Sequence, residues 1–203
     1  MRRASYHHGN LRRALLDAAL DLIAAVGPGG FTLREAARSA GVTHTAPYRH
    51  FASRQDLLAA VAEEGFRALH GAMTRALAAA GADPLGRLQG LGLAYVRHAV
   101  EHPSHFRVMF GPEVADKTAY PGLREAGQAT LGLLHDTVRD CQHAGVVRAG
   151  DPDGMAVALW SLVHGLADLL VDGQVEGGTR WSARTTATAR DVMATIVAGL
   201  APR

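Results

Sequence analysis

Cysteine occurs once, at Cys141, so no disulfide can close within the chain, and a cytoplasmic setting is expected. Runs of β-branched residues are scarce. With 48% hydrophobic residues, alanine and leucine foremost, that scarcity points to an all-α fold. No apolar stretch is expected to reach the roughly 18 residues of a membrane span, and no basic start leads into the apolar run of a signal peptide. Catalytic signatures are missing as well: there is no P-loop, no dinucleotide-binding glycine fingerprint and no nucleophile elbow. Gly27-Pro28-Gly29-Gly30 is rich in glycine but ends a helical pattern instead of following a strand. Cys141 and His143 stand two apart and diverge on a helix, which is wrong for a thiol–imidazole pair. His98 and His102 are four apart with His105 close by, a spacing that can hold zinc. A zincin would need glutamate directly after the first histidine, yet Glu101 is third after His98. No enzyme activity, cofactor or metal is therefore expected.

Charge is nearly balanced over the 203 residues, at +2, but its distribution is uneven. Up to Gln55 there are eight arginines against three carboxylates, whereas the residues beyond Gly65 carry thirteen basic and thirteen acidic groups. The excess lies at the N-terminal end, as on a surface that meets nucleic acid. Arg2, Arg3 and Tyr6-His7-His8 precede the first helix and could form an arm reaching a groove or the backbone.

Residues 31–51 occupy that basic end and read as two short helices around a tight turn. Thr32 can cap the first, with Glu35 at the reciprocal capping-box spacing. Leu33, Ala36, Ala37 and Ala40 form a small apolar face on which a second helix can cross closely, and Gly41 suits the left-handed end. Thr43 can cap a second helix over 44–50, with Pro47 near its first turn, where a missing N–H costs little. This is a helix-turn-helix pattern, with His44, Thr45, Tyr48 and Arg49 on the outer face. His44, Thr45 and Arg49 suit base edges, while Tyr48 and Arg54 suit phosphates. Thr32 and Arg34 on the first helix, Thr43 in the turn and His50 complete the candidate DNA-binding set, although His50 can equally support Phe51 and the core.

Residues 11–66 resemble the DNA-binding domain of the tetracycline-repressor (TetR) family of bacterial regulators. The resemblance is most specific at 46–51 (Ala-Pro-Tyr-Arg-His-Phe) followed by 53–58 (Ser-Arg-Gln-Asp-Leu-Leu), and 6–11 (Tyr-His-His-Gly-Asn-Leu) is similar to one subgroup. Where the family usually has lysine this chain has Arg54, and either residue can hold a phosphate. Residues 160–165 (Trp-Ser-Leu-Val-His-Gly) resemble the Trp-x-x-x-His-Gly motif of one class of TetR C-terminal domains. The resemblance implies a dimeric regulator, a repressor released from a pseudo-palindromic double-stranded DNA operator by a small-molecule effector. A metal-sensing or architectural DNA-binding protein without an organic ligand is the alternative.

Punctuation along the chain predicts nine helices, three in an N-terminal domain (1–52) and six in a larger ligand-binding and dimerisation domain (53–203). Asn10, Ser53, Asp83-Pro84, Pro121, Asp151-Pro152 and Ser182 open helices; Gly27, Gly81, Gly111, Gly145 and Gly173 close them. The segment before Tyr120 reads as loop. Residues 152–172 and 182–200 are apolar over wide faces, with Gly165, Ala167 and Ala189 permitting close approach. The resemblance implies that they form an isologous four-helix homodimer interface that includes Leu166 and Val192, the alternative being packing within one chain. The resemblance also implies an effector cavity, for which Tyr95, His98, His102, Phe106, Met109, Phe110, Leu134, Trp160 and His164 are the candidates, each of them equally at home in a helical core. Trp160 and His164, four apart, face one way and can equally hold the bundle together.

Overall fold

The structure, a computed structural model, describes residues 11–175 and 179–202. Among the described residues every regular element is helical: α1 (Leu11–Val26), α2 (Leu33–Ser39), α3 (Arg54–Ala80), α4 (Pro84–Glu101), α5 (Pro103–Phe110), α6 (Pro121–His143), α7 (Pro152–Val171) and α8 (Ala183–Ala198). Two short 3-10 segments, Ala46–Arg49 and Lys117–Ala119, complete the set. The second of these lies in the stretch expected to be loop. The N-terminal arm and the Asn10 cap lie outside the described residues.

Side-chain caps set the starts of α2, α3, α7 and α8. Thr32 and Glu35 satisfy each other's backbone N–H groups, and Ser53 and Asp56 do the same ahead of α3. Asp151 accepts from two N–H groups at the head of α7, and Ser182 pairs with Thr185 ahead of α8. Each such cap contributes about 1 kcal/mol. Asp83 departs from expectation, since its carboxylate makes no capping bond and Pro84 alone shapes that start. Gly41 ends α2 at φ 71°, while Val42 N–H reaches back to the Ala37 carbonyl.

The chain divides into two compact units. One comprises the described part of Met1–Gly65 together with Ser104–Arg124. Its buried residues include Leu15, Leu16 and Ile23 of α1, Ala36 and Ala37 of α2, Phe51, and Leu57, Leu58 and Val61 of α3. A polar tie joins three of its helices: Glu64 on α3 accepts from Arg13 on α1 and lies 3.2 Å from His105 Nε2 on α5. Tyr120 donates to Asp56 at 2.8 Å, holding the start of α6 to the start of α3.

The other unit comprises Phe66–Pro103 and Glu125–Arg203. There α4 packs against both α7 and α8. Leu88, Val138, Val147, Met155, Leu159 and Leu200 surround Cys141, whose thiol donates to the Pro84 carbonyl and is pushed up in pKa by burial. Each leucine so covered contributes roughly 1.5–3 kcal/mol relative to exposure.

Contrary to the sequence expectation, α7 is long and apolar enough by composition to cross a membrane. Two faces explain this. Met155, Ala156, Leu159, Val163, Leu166, Ala167 and Leu170 point into the protomer, while Val157, Leu162 and Leu169 remain 50%, 55% and 47% exposed. Leu166, expected at a dimer face, is covered within the protomer instead.

Candidate nucleic-acid interface and effector cavity

The element after Gly41 is tighter than the seven-residue helix expected over 44–50. It is the 3-10 segment Ala46–Arg49, preceded by Thr45 and not capped by Thr43. Proline explains the difference. Pro47 has no N–H to return to Thr43, so Ala46 N–H bonds the Thr43 carbonyl three residues back. His50 and Phe51 N–H groups then share the Pro47 carbonyl at 2.8 and 2.9 Å. Pro47 and Phe51 are buried, which turns the intervening side chains outward.

Thr43, His44, Thr45, Tyr48, Arg49 and His50 are all exposed, Tyr48 by 51%. Arg34 is exposed on α2. The two threonine hydroxyls, of Thr43 and Thr45, lie 3.4 Å apart. Phe51 anchors the base of the surface: the Arg12 guanidinium sits 5.8 Å from its ring centroid, and the His50 ring packs at 6.5 Å. His50 therefore both faces outward and touches the core residue it was expected to support.

Two candidates carry structural bonds. Thr32 is engaged with Glu35, whose carboxyl is held below its usual range chiefly by the Thr32 backbone N–H. That carboxylate already stands in the first turn of α2, where the helix favours an anion. Arg54 donates to the Pro28 carbonyl at 2.8 Å, committing one of its N–H groups to the loop after α1. Sequence spacing carried no signal for that bond, nor for the Arg13–Glu64–His105 tie, because the partners are 26 to 51 residues apart.

The nine cavity candidates separate into three places. Tyr95, Leu134 and Trp160 line a cavity of about 40 Å³ inside the second unit, walled mainly by leucine, valine and isoleucine with Met73 and Met193. Two of the lining residues share a cluster with His164: Tyr95 Oη is 2.7 Å from His164 Nδ1 and accepts from Trp160 Nε1 at 3.3 Å. Burial raises the Tyr95 pKa well above its usual value, and it lowers that of His164 against the opposing pull of Asp168.

His98 and His102, their rings 4.7 Å apart, line a separate open groove between α3, α4 and the start of α8. Phe106, Met109 and Phe110 belong to the first unit. There the Phe106 and Phe110 rings pack at 5.2 Å, and Met109 sits so close to α3 that a Cβ on Gly65 would come within 2.6 Å of its sulfur. No three His, Cys, Asp or Glu side chains converge on a metal site among the described residues.

Comparison with known proteins accounts for both units. Residues 15–61 match the family profile described as bacterial regulatory proteins, tetR family. Residues 88–199 match that of the tetracyclin repressor-like C-terminal domain. A protein of unknown function from Rhodococcus sp. RHA1 is 36% identical, with 98% of this chain and 100% of that one covered at a TM-score of 0.82. A tetR-family regulatory protein from Rhodococcus RHA1 is 21% identical, over 94% of this chain and 96% of that one, at 0.76. The ketosteroid transcriptional regulator KstR2 of Mycobacterium tuberculosis is 20% identical over the full length of both chains, at 0.72. No curated protein matches the sequence.

Proposed function

Since the chain belongs to the TetR family of bacterial DNA-binding transcriptional regulators, we propose that it is a cytoplasmic homodimeric repressor released from a pseudo-palindromic operator by a small-molecule effector. The observation that carries the reading of DNA is the outward row Thr43, His44, Thr45, Tyr48 and Arg49, raised on the buried Pro47 and Phe51. Tyr48, with Arg54, holds phosphates; His44, Thr45 and Arg49 read base edges. Arg34 and Thr32 lie beside them on α2, and His50 supports the row through Phe51.

One such short element reads too few base pairs for specificity, so two copies on a two-fold site are required. The outer face of α7 supplies the interface, with Val157, Leu162 and Leu169 exposed around Gly165, where an added Cβ would meet nothing within 4 Å. Ala187, Ala194 and Ala198 continue a small, exposed face along α8. An isologous four-helix contact from these two helices covers the apolar outer side of α7.

Effector control is assigned to the cavity at Tyr95, Leu134 and Trp160, with His164 at its edge. A 100-fold loss of operator affinity requires about 2.7 kcal/mol of preference for the released state, within reach of one buried ring and a hydrogen bond. The long helix α3 contributes to both units and is the lever this reading requires.

An electrophoretic shift on the DNA upstream of the chain's own gene, with and without zinc and chelator, tests the assignment. A specific shift indifferent to metal supports it. A shift that needs zinc would favour a metal sensor, and no sequence-specific shift would remove the repressor reading.

A further inference from the structure

The wall of the cavity limits what can enter it. Met73, Leu88, Leu91, Leu134, Leu159, Val163, Met193, Ile196 and Val197 present only carbon and thioether sulfur, and among the described residues no charged side chain lines it. A carboxylate or ammonium placed there would lose its water with no counter-charge to meet. Tyr95 and Trp160 are the two lining residues with polar side-chain atoms, and both join His164, just outside the lining, in one hydrogen-bonded cluster.

Size is the second limit. About 40 Å³ of clear space holds a few atoms, whereas a benzene-sized ring occupies a cavity of roughly 150 Å³. Something in the wall has to give way. Met193 is placed to do so: its sulfur lies where a side chain on Gly92 would stand, so the missing side chain of α4 is its seat. An unbranched methionine changes shape more easily than the branched residues around it.

We propose that the effector is an uncharged, apolar molecule about one ring in size, with a single hydroxyl or carbonyl bonded at the Tyr95–Trp160–His164 cluster, and that Met193 is the side chain that moves aside to admit it. The inference rests on the effector reading above for its regulatory meaning, but the binding chemistry stands by itself.

Toluene, p-cresol and p-toluate share one frame and differ in the group offered to the cluster. In the 203-residue chain carrying Trp181→Phe, Trp160 is the sole tryptophan emitter and reports occupancy of the cavity directly. p-Cresol is expected to bind roughly tenfold more tightly than toluene, through one hydrogen bond. p-Toluate is expected to bind at least about 100-fold more weakly than p-cresol. Tyr95→Phe should reduce the advantage of p-cresol over toluene. Met193→Ala should strengthen toluene binding by opening the cavity, while Met193→Leu, of similar volume but stiffer, should weaken it. Equal binding of p-toluate and p-cresol would overturn the proposal, as would methionine variants that shift binding the same way, or no response of Trp160 to any probe. If p-cresol binds as described while operator affinity is unchanged, the cavity assignment holds and the effector reading fails.

Discussion

Replacing Leu162 and Leu169 together by alanine separates the proposed dimer face from the fold. Both are about half exposed in the protomer, at 55% and 47%, so the part a partner would cover is the part now facing water. Half of the roughly 1.5–3 kcal/mol for fully burying a leucine is about 1 kcal/mol. Two leucines from each of two protomers then contribute about 4 kcal/mol, or nearly three decades in dimer Kd. The folding of each protomer should barely change, because exposed substitutions generally cost within about 0.5 kcal/mol. Leu166→Ala is the opposing control. Leu166 is 8% exposed inside the protomer, so it should cost roughly 2–5 kcal/mol of folding stability instead. Sedimentation equilibrium gives the dimer Kd, and denaturant unfolding below that Kd gives protomer stability. A double variant whose Kd stays within about tenfold of the parent would refute the assignment of this face.

Arg54→Ala should flatten the salt dependence of operator binding by about one unit of log–log slope. An unchanged slope with reduced folding stability would leave Arg54 only its bond to the Pro28 carbonyl. Thr32→Ala removes the cap that α2 shares with Glu35 and should lower unfolding free energy by about 1 kcal/mol, read from the denaturant midpoint; no change would mean the cap adds nothing. His164 is held below its ordinary 6.5 chiefly by burial, so the unfolded chain takes up its proton first. Its contribution is complete above about pH 6.5 and is lost as pH falls toward the folded value. His164→Gln should flatten that acid limb in pH-dependent melts, and an unaltered limb would place the titrating group elsewhere.

Local chemistry made much of this legible in the sequence. The Thr32, Ser53, Asp151 and Ser182 caps and the Gly41 stop act within one turn of where they stand. Reading them requires neighbours three or four residues away. The all-α class, the helix order and the family resemblance of residues 11–66 followed from such short-range signals. Pro47 shows where even local reading fell short: the proline was seen, but the 3-10 pairing it imposes depends on which carbonyls its neighbours reach.

Only tertiary packing decided how the cavity candidates divide. Tyr95 and His164 are 69 residues apart in sequence and meet at 2.7 Å. Phe106 and Met109, only eleven and fourteen positions beyond Tyr95, belong to the other unit, because α5 packs on the first half of α3 at Gly65. Helical periodicity tells which residues share a face but not which helix that face will meet. The two faces of α7 show the same limit. Its sequence is apolar nearly all round, and only the packing of α4 and α8 against one side leaves Leu162 and Leu169 outward and Leu166 inward. The sequence by itself determined what each helix could bury; the contacts between distant helices decided what each one does.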